Sequence, residues 1–235
     1  MKIGVILAGG LGKRMKSDLP KPCHKINGIP MIQSVINKLK LIVDKIFIVY
    51  GKKGDVLQSY VENSEDYIWC HQEPQLGTGH ALQVAFEEIK KLNQSTIDII
   101  VCNGDAPFIK SKTLENIIDK SFDGTLLSCY VKNPQGYGRI LKNPNFIGIK
   151  EEKDCTEEEK KIQEVNAGCY YFSFSSLERV IYKLQNNNAQ KEYYITDILG
   201  LLPNVKVYQI QDEIEIFNIN NIEQLQIAEK FKDYL

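Results

Sequence analysis

Apolar positions along this chain follow two rhythms. Ile3–Leu7, Lys45–Val49 and Ile97–Cys102 are short apolar runs bounded by polar residues or glycine. That pattern predicts strands buried on both faces of a parallel sheet. Between them, Met31–Leu41 and Gly79–Leu92 carry apolar residues at helical spacing, and Ala81, Leu82, Ala85, Phe86 and Ile89 make one face of the second. Lys53–Tyr60 predicts a shorter helix. Strand and helix alternate to about residue 120, which argues for an α/β layered fold.

The pattern then changes. Thr125–Val131, Arg139–Leu141 and Phe146–Ile149 read as short strands separated by turn residues, so hairpin pieces add to the sheet. Glu151–Lys161 is too charged to be core and predicts a solvated loop or short helix. Ala167–Phe174 and Val205–Ile210 predict strands; Ser176–Leu184, Thr196–Leu202 and Asn221–Phe231 predict helices. The expected architecture is a Rossmann-like, mixed but mainly parallel sheet flanked by helices, with a small β-rich lobe.

Composition narrows the partners. The chain has 235 residues, 43% of them hydrophobic, enough for one domain with a sizeable core. Lysine and arginine number 29 against 30 acidic residues. Such balance argues against nucleic-acid binding, which rests on basic surface, and any anion site must be a local cluster. There is no signal-peptide pattern and no apolar run near the ~18 residues of a membrane span, so a cytoplasmic protein without membrane contact is expected. Six scattered cysteines without a C-x-x-C pair predict buried free thiols rather than zinc.

The candidate chemistry lies where strands end, the place where α/β sheets collect ligands. The first strand opens into Ala8-Gly9-Gly10-Leu11-Gly12-Lys13-Arg14. Glycines permit close backbone approach to a ligand, and Lys13 and Arg14 add positive charge. Lys21, between Pro20 and Pro22, is a second cation for a polyphosphate. Neither the P-loop spacing nor the dinucleotide G-x-G-x-x-G pattern is present. Asp105, in Asn103-Gly104-Asp105, is the leading metal candidate, with a turn or cap as its structural alternative. Gln72, Glu151, Asn166 and Asn220 are polar groups near strand ends. Gly77-Thr78-Gly79 predicts a helix start with backbone N–H groups and a capping hydroxyl. His24, His71 and His80 have no acidic partner in sequence, so position and electrostatics rather than a nucleophile triad would carry a reaction.

The ordered series Leu7-Ala8-Gly9-Gly10 to Arg14-Met15, Leu19-Pro20-Lys21, Gln75 to Ala81, Gly136 to Ile140, Glu151-x-Lys153-Asp154, Ile162 to Asn166, Asn186 to Asp197 and Ile219-Asn220-Asn221 resembles one family. It is similar to the uridylyltransferase domain of bacterial N-acetylglucosamine-1-phosphate uridylyltransferases, in the wider sugar-nucleotide transferase superfamily. The resemblance implies the nucleotide-diphospho-sugar transferase fold. One domain over 1–235 would have a nucleotide-binding part at 1–120 and a sugar-binding part at 121–235 that also supplies a metal-binding segment.

The resemblance also implies roles. Leu7, Ala8, Gly9 and Gly10 would hold the uridine of UTP, with Gln72 and Gly77 reading uracil and Thr78 beside the nucleotide. Arg14 and Lys21 would meet the phosphates. Asp105 and Asn220 would hold Mg²⁺, with Asn103 and Gly104 beside them. Gly138, Glu151 and Asn166 would meet N-acetylglucosamine 1-phosphate, with Tyr194 and Thr196 near the sugar or its phosphate. The chain departs from the family at Lys13, where threonine is usual, at Asn103, where tyrosine is common, and at Ala167, where threonine is common. It carries no hexapeptide repeats, so neither acetyltransferase activity nor a β-helix trimer is expected of it.

Overall fold

The computed structural model describes all residues except Leu11 and Ser95, together with the side chain of Lys13. Eleven strands and seven α-helices follow one another among the described residues. The strands are β1 (Lys2–Leu7), β2 (Lys25–Ile26), β3 (Ile29–Pro30), β4 (Lys45–Tyr50), β5 (Tyr67–His71), β6 (Asp98–Asn103), β7 (Gly124–Tyr130), β8 (Arg139–Lys142), β9 (Phe146–Lys150), β10 (Glu164–Ser173) and β11 (Val205–Ile210). The helices are α1 (Met31–Leu39), α2 (Gly54–Gln58), α3 (Thr78–Lys90), α4 (Ser111–Asn116), α5 (Phe174–Val180), α6 (Thr196–Leu201) and α7 (Ile222–Ala228).

Nine strands form one sheet, whose main path runs β11-β7-β10-β6-β1-β4-β5, with the β8–β9 hairpin joined to β10. On that path β10 is antiparallel to both its neighbours and every other pairing is parallel. The mixed, mainly parallel sheet expected from the sequence is therefore present.

Side chains alternate across the pleat, and both faces are covered. Ile3, Val5, Phe47, Ile99 and Val101 pack with Leu82, Phe86, Leu177 and Ile198 from α3, α5 and α6. Ile6, Ile46, Ile48 and Ile100 pack with Val35, Ile36, Leu39 and Leu114 from α1 and α4. A third, smaller cluster holds the C-terminal segment, with Phe108 at its centre. Five cysteines are buried and all six are free. No described helix is long and apolar enough to cross a membrane.

Several boundaries differ from the sequence pattern for identifiable reasons. β10 starts at Glu164 rather than Ala167, because Glu164 is buried only in company: Ser128 Oγ and Lys142 Nζ donate to its carboxylate at 2.6–2.9 Å. The helix at 176–184 begins earlier, at Phe174, where Ser173 accepts the Ser176 N–H, and tightens to a 3₁₀ turn at Ile181. The last predicted helix is α-helical only to Ala228 and continues as 3₁₀ turns over Glu229–Tyr234, kinked at Phe231. The charged 151–161 stretch contains two 3₁₀ turns, Glu152–Asp154 and Glu159–Lys161.

Candidate active site

A cavity of about 670 Å³ opens at the ends of β1, β5 and β6. Leu7, Ala8, Gly9 and Gly10 line it from the turn after β1. Gln72, Gly77 and Thr78 line it from the turn between β5 and α3, and Asn103 and Asp105 from the end of β6. Arg14, Lys21 and Asn220 line it as well. A second chamber of about 220 Å³ contains Gly138, Glu151, Asn166 and Tyr194. Thr78, Asn103, Gln190 and Glu192 line both, so the chambers adjoin. Gly104 and Thr196 stand behind the walls: a Cβ on Gly104 would crowd Ala8 and Ile6 at 3.2–3.3 Å, and Thr196 is buried while donating to Glu151 Oε1 at 3.1 Å.

The charged end of the larger chamber is a four-residue knot. Lys21 Nζ donates to Asp105 Oδ2 and, at 2.8 Å, to Asn220 Oδ1. Arg14 Nη2 donates to the same Asn220 oxygen at 2.9 Å. Lys21 comes from a 3₁₀ turn following Pro20, whose fixed φ helps set its direction. The Asp105 and Asn220 oxygens thus converge on one cation from turns 115 positions apart. Lys13 of the predicted basic loop lies outside the described side chains.

At the other end, the backbone makes the wall. A Cβ on Gly9 would lie 2.9 Å from Gln72 Oε1, and Gln75 Nε2 donates to the Gly9 carbonyl. Gln72 is buried, and its Nε2 donates to Gly77 O at 2.9 Å and to His80 Nδ1 at 3.1 Å. Burial lowers the His80 pKa, which favours the neutral ring needed to accept that bond. Gly77 has φ +111°, and a Cβ there would lie 2.6 Å from Tyr193 O. Thr78 corrects the sequence expectation. Its hydroxyl does not cap α3 but accepts the Ile195 N–H at 3.0 Å, fastening the 185–195 loop over the cavity.

The second chamber depends on an irregularity in β10. Its register with β7 shifts between Asn166 and Tyr170. Gly168 in this bulge has φ +72°, and any side chain there would meet the Asn103 amide. Asn166 Nδ2 donates to Tyr170 OH at 2.7 Å, while its Oδ1 accepts Gly168 N at 3.1 Å. Glu151 is partly buried in the chamber wall, and burial raises its pKa against the opposing effect of the Thr196 bond. Ala167 is 2% exposed and packs in the opposite core, so this departure does not alter the chamber wall.

Sequence reasoning did not select Gln190, Glu192, Lys153, Tyr137 or Asn218, all of which line a chamber. The first four lie inside the quoted motifs, so a signal existed. Asn218 gave none.

A family model described as a MobA-like NTP transferase domain matches residues 4–144, the stretch that builds the glycine turn, the Gln72 turn and the Asp105 turn. The chain belongs to the MobA-like NTP transferase family. The chain is 42% identical over 230 residues to the bifunctional protein GlmU of Fervidobacterium nodosum, covering 96% of this chain and 49% of the relative. The GlmU of Carboxydothermus hydrogenoformans is 40% identical over 233 residues, covering 94% and 51%. That of Rippkaea orientalis is 35% identical over 230 residues, covering 95% and 50%. The chain spans about half the length of these curated relatives. Its fold also matches a solved structure described as a putative glucose-1-phosphate thymidylyltransferase from Bacillus anthracis in complex with sucrose. The TM-score is 0.72 at 21% identity, covering 98% of this chain and 95% of that one.

Proposed function

We propose that the protein transfers a uridylyl group from UTP to N-acetylglucosamine 1-phosphate, releasing pyrophosphate. The observation carrying this reading is the junction of the two chambers. Asn103 lines both, and two residues on Asp105 enters the knot with Lys21, Arg14 and Asn220. A nucleotide in the larger chamber would bring its phosphates to those cations.

In this reading residues 1–120 build most of the nucleotide chamber, and 121–235 build the sugar chamber and contribute Asn220. The backbone of Leu7–Gly10, with Gln72 and Gly77, would hold uridine and read its base. Gly138, Glu151, Asn166 and Tyr194 would meet the sugar, with Thr196 orienting Glu151. The acceptor's phosphate oxygen attacks the α-phosphorus of UTP in line. One P–O bond forms as the bond to pyrophosphate breaks. A phosphate monoester is largely dianionic at neutral pH, having a second pKa near ~6, so no general base is required. Lys21 and Arg14 orient the phosphates and offset the charge that accumulates on the leaving group.

Asp105 and Asn220 fit Mg²⁺. Both offer hard oxygen atoms, and both already converge on the Lys21 ammonium. Two protein ligands suit a cation that keeps waters and takes substrate phosphate oxygens. Among the described residues no cluster of three or more His, Cys, Asp or Glu side chains gathers for a metal. When bound, Mg²⁺ would polarise phosphate oxygens and neutralise developing charge.

Pyrophosphate release with UTP and Mg²⁺ tests the reading, comparing N-acetylglucosamine, glucose and N-acetylgalactosamine 1-phosphates. Preference for the first supports it. Preference for another sugar moves the specificity to the Asn103 wall. No release with any of them refutes the reaction.

A further inference from the structure

We infer that Lys38, outside both chambers, is a positioning residue that holds the Asp105 and Asn220 turns at their mutual spacing. This rests on the reading of those two residues as the cation pair. Lys38 lies near the end of α1, and its Nζ bonds to two other parts of the chain. It donates to the carbonyl of Pro107, two residues past Asp105, and at 2.6 Å to the carbonyl of Tyr234 in the C-terminal segment. Ser34, one turn earlier, donates to the same Pro107 carbonyl at 2.8 Å and accepts from Lys38 at 3.1 Å.

The two segments Lys38 joins also meet through one aromatic cluster. The Phe108 ring, next to Pro107, packs edge-on to Phe231 at 5.6 Å and to Tyr234 at 6.4 Å, and lies against Phe217. Ile219, immediately before Asn220, is fully buried in that cluster. Asn220 N donates to Gln224 Oε1 at 2.7 Å, which ties the turn to α7. The apolar cluster supplies contact area without direction. The Lys38 ammonium supplies direction, since its bonds to two carbonyls from different segments limit sliding of one past the other. Burial pulls its pKa down to about 8 while Glu215 opposes the shift, which leaves it charged at neutral pH.

Metal affinity is sensitive to groups that orient ligands without touching the ion. Lys38→Met keeps the aliphatic stem and removes the bonds. Three quantities are read on the full chain: Mn²⁺ affinity without substrates, by electron paramagnetic resonance; UTP affinity in EDTA; and amide hydrogen exchange over 105–109 and 217–221. Lys38→Met is expected to weaken Mn²⁺ about tenfold, to speed exchange in both segments, and to leave metal-free UTP affinity within about twofold. Lys38→Arg, which keeps charge and donors, is expected to recover most of the Mn²⁺ affinity. Ser34→Ala, a milder change on the same carbonyl, should move Mn²⁺ affinity in the same direction and covers the case in which Lys38→Met fails to fold.

Unchanged Mn²⁺ affinity and exchange would overturn the inference. Equal loss of UTP and Mn²⁺ affinity would do so as well, because it marks a general loss of structure. If wild-type protein releases no pyrophosphate while Lys38→Met still shows both shifts relative to it, the proposed reaction is refuted and the role of Lys38 stands. Active wild type with neither shift would refute that role alone.

Discussion

Lys21 Nζ and Asn220 Oδ1 meet at 2.8 Å although 199 positions separate them in the chain. The lysine holds together a carboxylate and an amide oxygen that would otherwise face each other across an open cavity. Asp105→Asn and Asn220→Ala should each lower kcat about 10²- to 10³-fold, the usual cost of removing one electrostatic partner of a transition state. Asn220→Ala should also raise the Mg²⁺ concentration giving half-maximal rate. Steady-state pyrophosphate release over a Mg²⁺ series, with circular dichroism to verify folding, measures both. Full activity in either variant would remove that residue from the mechanism.

Gly77 combines a left-handed φ of +111° with backbone 2.6 Å from where a Cβ would stand. Gly77→Ala should destabilise the fold by about 1–3 kcal/mol through backbone strain. It should also raise KM for UTP, because the same turn receives the Gln72 amide. Thermal unfolding and UTP titration check the two effects separately.

Gly168→Ala would push on the Asn103 amide from the neighbouring strand, at a backbone φ of +72°. Because Asn103 lines both chambers, the expected result is a fall in kcat/KM for the preferred sugar 1-phosphate larger than any change in UTP affinity. Equal effects on both substrates would show that the strain spreads through the sheet instead.

Glu151 gives a pH prediction. Its folded-state pKa is raised by burial, with Asp197 and Asp154 adding to the shift. The folded protein therefore keeps this proton at pH values where the unfolded chain has lost it. Its contribution to stability is complete below the unfolded value of 4.5 and is lost as pH rises through the folded pKa. Glu151→Gln, which mimics the protonated acid, should flatten the decline in stability above pH 4.5, and Asp197, shifted in the same direction, should account for part of the remainder. Urea denaturation at a series of pH values would show it. An unchanged slope would mean that Glu151 is solvated in the folded state.

Arg139 is 1% exposed and donates to Tyr137 O and Lys160 O while pairing with Glu152 at 2.8 Å. It braces the turn that carries Gly138 and the segment that carries Glu151. Arg139→Met should cost about 2 kcal/mol or more, since it removes charge-assisted bonds from a buried site. It should impair sugar binding before UTP binding. Matched calorimetric titrations of the two substrates check the order.

The sequence by itself determined the layered fold class and most of the elements along the chain, while the order of the strands in the sheet came only from the tertiary structure. Apolar runs such as Ile3–Leu7 and the 46–49 stretch of β4 cannot stay in water, and the amphipathic face of α3 packs over β1 and β4. The sequence also marked Arg14, Lys21, Asp105 and Asn220 as candidates, although only Asp105 follows directly on a strand; Arg14 and Lys21 stand in 3₁₀ turns and Asn220 just before α7, away from the strand end that its sequence context suggested. Tertiary structure alone decided which of these meet. The start of β10 was illegible because Glu164 reads as polar until Ser128 and Lys142 are beside it. Thr78 reads as a helix cap until the 185–195 loop offers it the Ile195 amide. Asn218 and Lys38 carry no motif; their significance comes only from the surfaces that the sheet and the C-terminal segment bring around them. Local pattern reports what each residue needs, burial or solvent or a bend. Which partner meets that need is set by contacts between distant segments, and no short stretch of sequence contains them.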